Sequence, residues 1–358
     1  MKESMRKKKL TSFIGVFLIS YLVIGLSRCE SANEVLYAFV DNRRVSEPLQ
    51  GYSLYAIAPT SKEVVTKTQL FGKVMFNMVL SNEKEVIYYL TREKGLATIN
   101  TSTNKHAGSI VPIEQTGNFL SLDALAVDSK IGISYLLCRR PEILPRISSE
   151  RQFRRVEGIS FDLKTNQVTH RFNFGEERIE NTFLKLSQDS SRIYCLKTNG
   201  TLLIFQAPQW VKIKELHLGN VYANPERKLI YSTTSSDGGK IFITEPGDQA
   251  MVWIIDTTSD EVTKIDLGYK AYFRGIAMSP DNSRLYLGEM SYLSVVDLAT
   301  NKVIARVAED CRSIAVSHDG GKLYFISGDG ISIMDVATLK VIDTIDIPAY
   351  FLVMTFTP

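Results

Sequence analysis

A short pattern that returns about every 40–60 residues limits what this chain can fold into more than any single residue does. An apolar pair is followed by Asp or a substitute, then Thr or Ser three positions on, then Val three beyond that. It reads Asp162/Thr165/Val168, Asp256/Ser259/Val262, Asp297/Thr300/Val303 and Asp335/Thr338/Val341. Weaker copies stand at Ala58/Ser61/Val64, Asn100/Thr103/His106 and Phe205/Pro208/Val211. A Ser-x-Asp signal precedes most copies and is clearest at Ser235/Asp237, Ser279/Asp281 and Ser317/Asp319, each with Gly or Asn beside it.

Both signals are turn chemistry. Asp next to Gly or Asn accepts the positive φ of a tight hairpin, and a carboxylate can take backbone N–H groups a few residues ahead, with the hydroxyl closing the same turn. Between turns lie runs of four to six residues rich in Val, Ile and Tyr. In the sixth unit these are Arg274–Met278, Arg284–Leu287, Leu293–Val296 and Val303–Val307, read as strands A to D. Helical periodicity is absent after the first 32 residues. A lone four-stranded sheet with two apolar faces cannot stay soluble, whereas such sheets stacked around an axis bury both faces. The expected fold is all-β, a seven-bladed β-propeller with the repeat Val directed into the next sheet. Closure supports the count. The first unit opens with Val35–Val40, a strand B, and lacks an A. Residues 351–358 match Phe273–Pro280 and follow a complete last unit, so the C-terminal strand should complete blade 1.

Residues 1–32 read as a signal peptide or N-terminal anchor, and residues 33–358 as one propeller domain. Lys2, Arg6, Lys7, Lys8 and Lys9 precede an uncharged stretch over residues 13–26, short of the ~20 residues that span a membrane. Cleavage fits after Ser27 or near Ser31–Ala32; Arg28 before Cys29 argues against lipidation. The chain is expected to be exported to the periplasm or beyond, with membrane contact only through an uncleaved leader. The leader holds six of the 42 Lys and Arg and two of the 39 Asp and Glu, leaving 36 basic against 37 acidic groups. That balance excludes a nucleic-acid partner. Cys138, Cys195 and Cys311 are odd in number and lie in or beside strands, so they read as buried thiols.

The B–C and D–A connections should share one face, and it carries the irregular segments 41–51, 139–155 and 219–227. The blade 3 insertion sets Arg139, Arg140, Arg146, Arg151, Arg154 and Arg155 around Ile143 and Leu144, a pattern suited to docking an acidic partner surface. Tyr222, Tyr272, Phe273, Tyr292 and Tyr350 add aromatic anchors, and Glu289, Glu309 and Asp310 are placed at the channel mouth. No catalytic or metal-ligating set emerges: His106, His170, His217 and His318 fall on different blades, and His106 replaces a core Val. Ser235 to Phe242 has the spacing of a sialidase Asp-box, which the A–B turn explains as well.

The stretches Ser279–Leu287 and Val295–Val303 resemble the YVTN-type propeller repeat. The long insertion between Ile133–Leu137 and Gly158–Phe161, and the fifth unit through Trp253–Asp256, resemble the β subunit of quinohemoprotein amine dehydrogenase and, more distantly, the methylamine dehydrogenase heavy chain. That resemblance implies a non-catalytic docking subunit of an oxidoreductase. It would carry no cofactor in this chain, with quinone and haem in partner subunits. The residues also leave open a free-standing propeller hydrolase or lactonase, and a surface adhesion or layer protein.

Overall fold

The computed structural model describes residues 34–42, 51–71, 74–81, 85–91, 95–108, 111–112, 121–139, 156–174, 179–197, 199–218, 230–328 and 330–356. Within them the chain is strands and turns, without an α-helix, arranged as seven antiparallel sheets. From inner strand A to outer strand D, blade 3 is Ser121–Asp128, Ile133–Arg139, Val156–Asp162 and Gln167–Asn173. Blade 4 is Ile179–Leu186, Arg192–Lys197, Thr201–Gln206 and Val211–His217. Blade 5 is Ser232–Thr234, Lys240–Glu245, Met251–Asp256 and Val262–Asp266. Blade 6 is Phe273–Met278, Arg284–Glu289, Leu293–Asp297 and Lys302–Val307, and blade 7 is Arg312–Val316, Lys322–Ser327, Gly330–Asp335 and Lys340–Ile345. Blade 2 runs Val74–Leu80, Val86–Thr91, Gly95–Asn100 and Lys105–His106, with Val111–Pro112 also paired to its third strand.

Blade 1 joins the two ends of the chain. Ala349–Phe356 pairs antiparallel with Glu34–Asp41, in register from Glu34 opposite Phe356 to Phe39 opposite Phe351. The sheet continues to Tyr52–Ala58 and Glu63–Gln69. Seven apolar clusters fill the seven junctions between neighbouring sheets, including one that joins blade 7 to blade 1. Seven sheets with seven filled junctions form a closed ring.

The repeat acts at its turns as its chemistry demands. Asp297 Oδ1 accepts from Thr300 N and Thr300 Oγ1, both at 2.7 Å, and Asp335 does the same with Thr338 at 2.8 and 2.7 Å. Asp162 takes Lys164 N and Thr165 N, both at 2.8 Å. At the A–B corner Ser279 Oγ donates to Asp281 at 2.6 Å and accepts from Arg284 N at 2.8 Å. Ser235 and Ser317 repeat this geometry, so the Asp-box spacing is the A–B turn.

Two expectations change. The residue four beyond the repeat Asp is left-handed in every C–D turn, and in blade 4 it is Trp210, with φ 59°. Trp210 N donates to Gln206 O, so the fourth signal stands at Gln206 and not at Phe205. Phe205 is instead a buried strand residue, and Val211 is 56% exposed. The repeat valines also face the other way. Val64, Val168, Val262 and Val303 pack into the junction with the preceding blade, while Val341 joins no core cluster and is 37% exposed. His106 follows the same rule: its ring stacks on Phe71 of the blade 1 connector at 4.0 Å, and Nε2 lies 2.9 Å from Gln69 O.

Candidate interaction face

Strand connectivity sorts the loops into two faces, as expected. Gly247 in the B–C turn of blade 5 exchanges two 3.1 Å backbone bonds with Ala271 in the D–A connector. On the opposite face the C–D turns bond to the A–B turns, with Thr257 N on Gly239 O and Val336 N on Gly321 O, both at 2.9 Å.

The residues singled out from sequence separate on this frame. Arg140, Ile143, Leu144, Arg146, Arg151, Arg154, Arg155 and Tyr222 lie outside the described residues, as do the side chains of Arg139 and Tyr350. Phe273 is 6% exposed and packs between blades 5 and 6, which removes it from any surface. Tyr272 is half-buried, with the Lys270 ammonium 5.7 Å from its ring, and Lys270 pairs with Asp248 at 2.6 Å. Tyr292 is exposed.

Tyr292 belongs to a built cluster on the loop-bearing face of blade 6. The Arg306 guanidinium lies between two rings, 3.9 Å from Tyr292 and 4.1 Å from Tyr269. Its Nη2 bonds Glu289 Oε2 at 2.8 Å, and the Glu289 side chain is only 4% exposed. The other carboxylate oxygen accepts from Tyr269 OH at 2.9 Å and Ser294 Oγ at 2.6 Å. Burial, with Glu289 adding to it, pushes the Tyr269 phenol up to about 12, so it remains a donor. A buried carboxylate with three donors is a stable anchor, because each partner offsets part of its desolvation. Glu289 therefore sits inside blade 6 and not at the channel mouth. At the inner strands Asp310 bridges Arg274 at 3.1 Å and Arg312 at 3.5 Å. Sequence reasoning found Tyr292 and Glu289 but not Tyr269, Ser294 or Arg306. Their partnership is made by cross-strand register, Ser294 opposite Arg306, and no repeat marks it.

Nothing among the described residues assembles a metal or nucleophile site. No group of three His, Cys, Asp or Glu gathers, and the histidines lie on three outer strands and one A–B turn. Cys138, Cys195 and Cys311 are fully buried and in no disulfide, and burial pushes the Cys195 and Cys311 thiols up, away from thiolate. A cavity of about 760 Å³ lies on the opposite face between blades 5 and 6. Its rim is turn residues such as Asp237 and Asp256, already bonded within their own turns.

The fold defines a class, the seven-bladed β-propeller, and comparison with known proteins reaches no further than that class. No family model and no curated protein matches the chain. Among solved structures, Kuenenia stuttgartiensis hydrazine synthase is similar with TM-score 0.57 and 12% identity, over 80% of this chain and 90% of that one. The dihydro-heme d1 dehydrogenase NirN in complex with DHE is similar with TM-score 0.59 and 10% identity, over 91% of this chain and 76% of that one. At such identities the likeness is one of fold.

Proposed function

We propose that this chain is an exported docking propeller, a rigid ring that holds a partner protein subunit on its B–C/D–A face and performs no chemistry itself. The observation that carries this is the blade 6 cluster. Met290 and Tyr292 are 45% and 39% exposed on one B–C turn, and Tyr292 is fixed from beneath by Arg306 and the buried Glu289. An ordered aromatic loses little freedom on binding, which is the property of an interface anchor. The arginine-rich insertion around Ile143 and Leu144 joins strands B and C of blade 3 in the sequence, and its charge suits an acidic rim on the partner. The finer reading is the propeller subunit of a periplasmic quinone-dependent amine dehydrogenase, with quinone and haem in the partner subunits. It is supported by the likeness of the third and fifth units to that family, and by the propeller neighbour NirN, a dihydro-heme d1 dehydrogenase.

The test is purification from the native host under mild conditions, followed by the same step with a Met290→Lys/Tyr292→Ala variant. Co-elution with a second polypeptide bearing haem absorbance is expected, lost in the variant while its melting temperature is kept. A colourless monomer would refute docking, as would a variant that retains the partner.

A further inference from the structure

One position of strand B is aromatic in every blade. It is the residue paired with strand C two places before the repeat Asp or its substitute, a tyrosine in six blades, Tyr37 and Tyr194 among them, and Phe242 in blade 5. In blades 1 and 4 the hydroxyl ties one blade to the next. Tyr37 OH lies 3.2 Å from Thr101 O and donates to Asn104 Oδ1 at 2.5 Å. Tyr194 OH lies 3.3 Å from Thr257 O and donates to Asp260 Oδ1 at 2.9 Å. Asn104 and Asp260 are the left-handed residues of the following C–D turns. Arg192, two places before Tyr194, adds a second link, with Nη1 2.8 Å from Asp260 Oδ1.

Between blades 5 and 6 this link is missing. Phe242 has no hydroxyl, Lys240 stands where blade 4 has Arg192, and the left-handed residue of blade 6 is the exposed Asn301. Among the described residues neither the Lys240 ammonium nor the Asn301 amide has a bonding partner. All three residues line the cavity of about 760 Å³ at this junction, a volume within the roughly 300–1,000 Å³ of small-molecule sites. Its walls are held in place, because Ser236 N donates to Asn282 Oδ1 at 2.8 Å and so joins the A–B turns of the two blades.

The lining also selects by charge. Asp237, Asp256 and Glu261 face the same space as Lys240. Asp237 Oδ1 accepts from Ser235 Oγ at 2.6 Å and Gly239 N at 2.9 Å, and Asp256 Oδ1 from Thr258 N at 2.9 Å and Ser259 N at 3.0 Å. Oδ2 of each is left as an acceptor for a ligand. Three carboxylates repel an anion, and Lys240 opposes a cation. A neutral molecule with many hydroxyls meets neither penalty, and it can donate to the carboxylates while accepting from Lys240 and Asn301.

We propose that the cleft between blades 5 and 6, bordered by Phe242, Lys240, Asn301 and Asp256, binds a neutral carbohydrate. Its hydroxyls take the place that the tyrosine hydroxyl holds between blades 4 and 5. The site lies on the A–B/C–D side of the ring and does not depend on the docking reading.

The test is titration calorimetry of the intact protein with maltotriose, cellotriose, mannotriose and triacetylchitotriose, and with trigalacturonate as an anionic sugar of the same length. At least one neutral trisaccharide should bind one to one, and trigalacturonate should not. Phe242→Tyr restores the hydroxyl next to Asn301, so it should keep or raise the melting temperature and weaken the sugar about tenfold. Asn301→Gly removes the amide at a position whose positive φ suits glycine, and should weaken binding by a similar factor with the fold kept. The Met290→Lys/Tyr292→Ala variant should bind the sugar as the parent does, which separates this site from the docking face. The proposal is overturned if no neutral trisaccharide binds, if only trigalacturonate binds, or if Phe242→Tyr and Asn301→Gly bind as tightly as the parent chain.

Discussion

Trp210 shows how one residue can be both invisible to a repeat pattern and central to the structure. It occupies the left-handed position that Asn104, Asn166 and Asn301 fill in other blades. From there its ring enters the junction of blades 3 and 4, beside Phe174, Phe205 and Tyr135, and Nε1 donates to Ser160 Oγ at 2.9 Å. Space for it exists because residue 158 is glycine; a Cβ there would meet the indole at 2.7 Å. Trp210→Ala should therefore cost about 3–5 kcal/mol in urea unfolding. Gly158→Ala should also destabilise, and the double variant should lose less than the two single losses together, because the clash disappears with the ring. Equal additivity would mean that the two sites do not touch. The turn aspartates carry a pH signature of their own. Hydrogen bonds from Ser279, Ser283 N and Ser283 Oγ hold Asp281 down at about 2, from an ordinary 3.8. A depressed folded value stabilises the protein above the unfolded value, and that contribution is lost as pH falls through the folded one. Stability should accordingly decline between pH 4 and about 2, and Asp281→Asn should flatten part of that decline in acid-unfolding curves. An unchanged acid limb in the variant would contradict this.

The strands were readable because four-residue apolar runs between two turn signals leave little alternative to a short antiparallel strand. In blade 6 the observed strands exceed the expected ones by one or two residues at the ends. Which neighbour the repeat Val faces was not readable. A strand pattern of period two says that alternate residues share a face, and it is blind to whether that face meets the blade before or after. The B–C/D–A face was less legible still. Its loops carry no repeated copy against which a residue can be compared, and the Tyr269, Glu289 and Arg306 contacts arise from register. Within blade 6 the consequence can be measured. Arg306→Ala leaves the buried Glu289 with two hydroxyl donors and no cation. Because Arg306 is about one-third exposed, the expected loss is ~2 kcal/mol, below that of a fully buried pair. Glu289→Gln, which keeps the shape and leaves Arg306 able to reach water, should cost less. The reverse order, in thermal or urea unfolding, would show that Glu289 does not depend on Arg306.

At the scale of the whole molecule, every sheet is covered on both faces only because the ring closes. Open it, and the apolar sides of blades 1 and 7, including Ile57, Ile331 and Ile333, meet water together. The docking proposal inherits this rigidity, since a face presented by an open, sliding stack of sheets would not hold Met290 and Tyr292 in place. The closing strand, Ala349–Phe356, is therefore the element on which the account rests. The direct measurement is thermal unfolding of a chain ending at residue 348, alone and with a synthetic peptide of residues 349–358 added. The closed ring predicts a melting temperature lower by on the order of 10 °C, restored in part by the peptide in a concentration-dependent manner. A truncated chain as stable as the parent and indifferent to the peptide would contradict it.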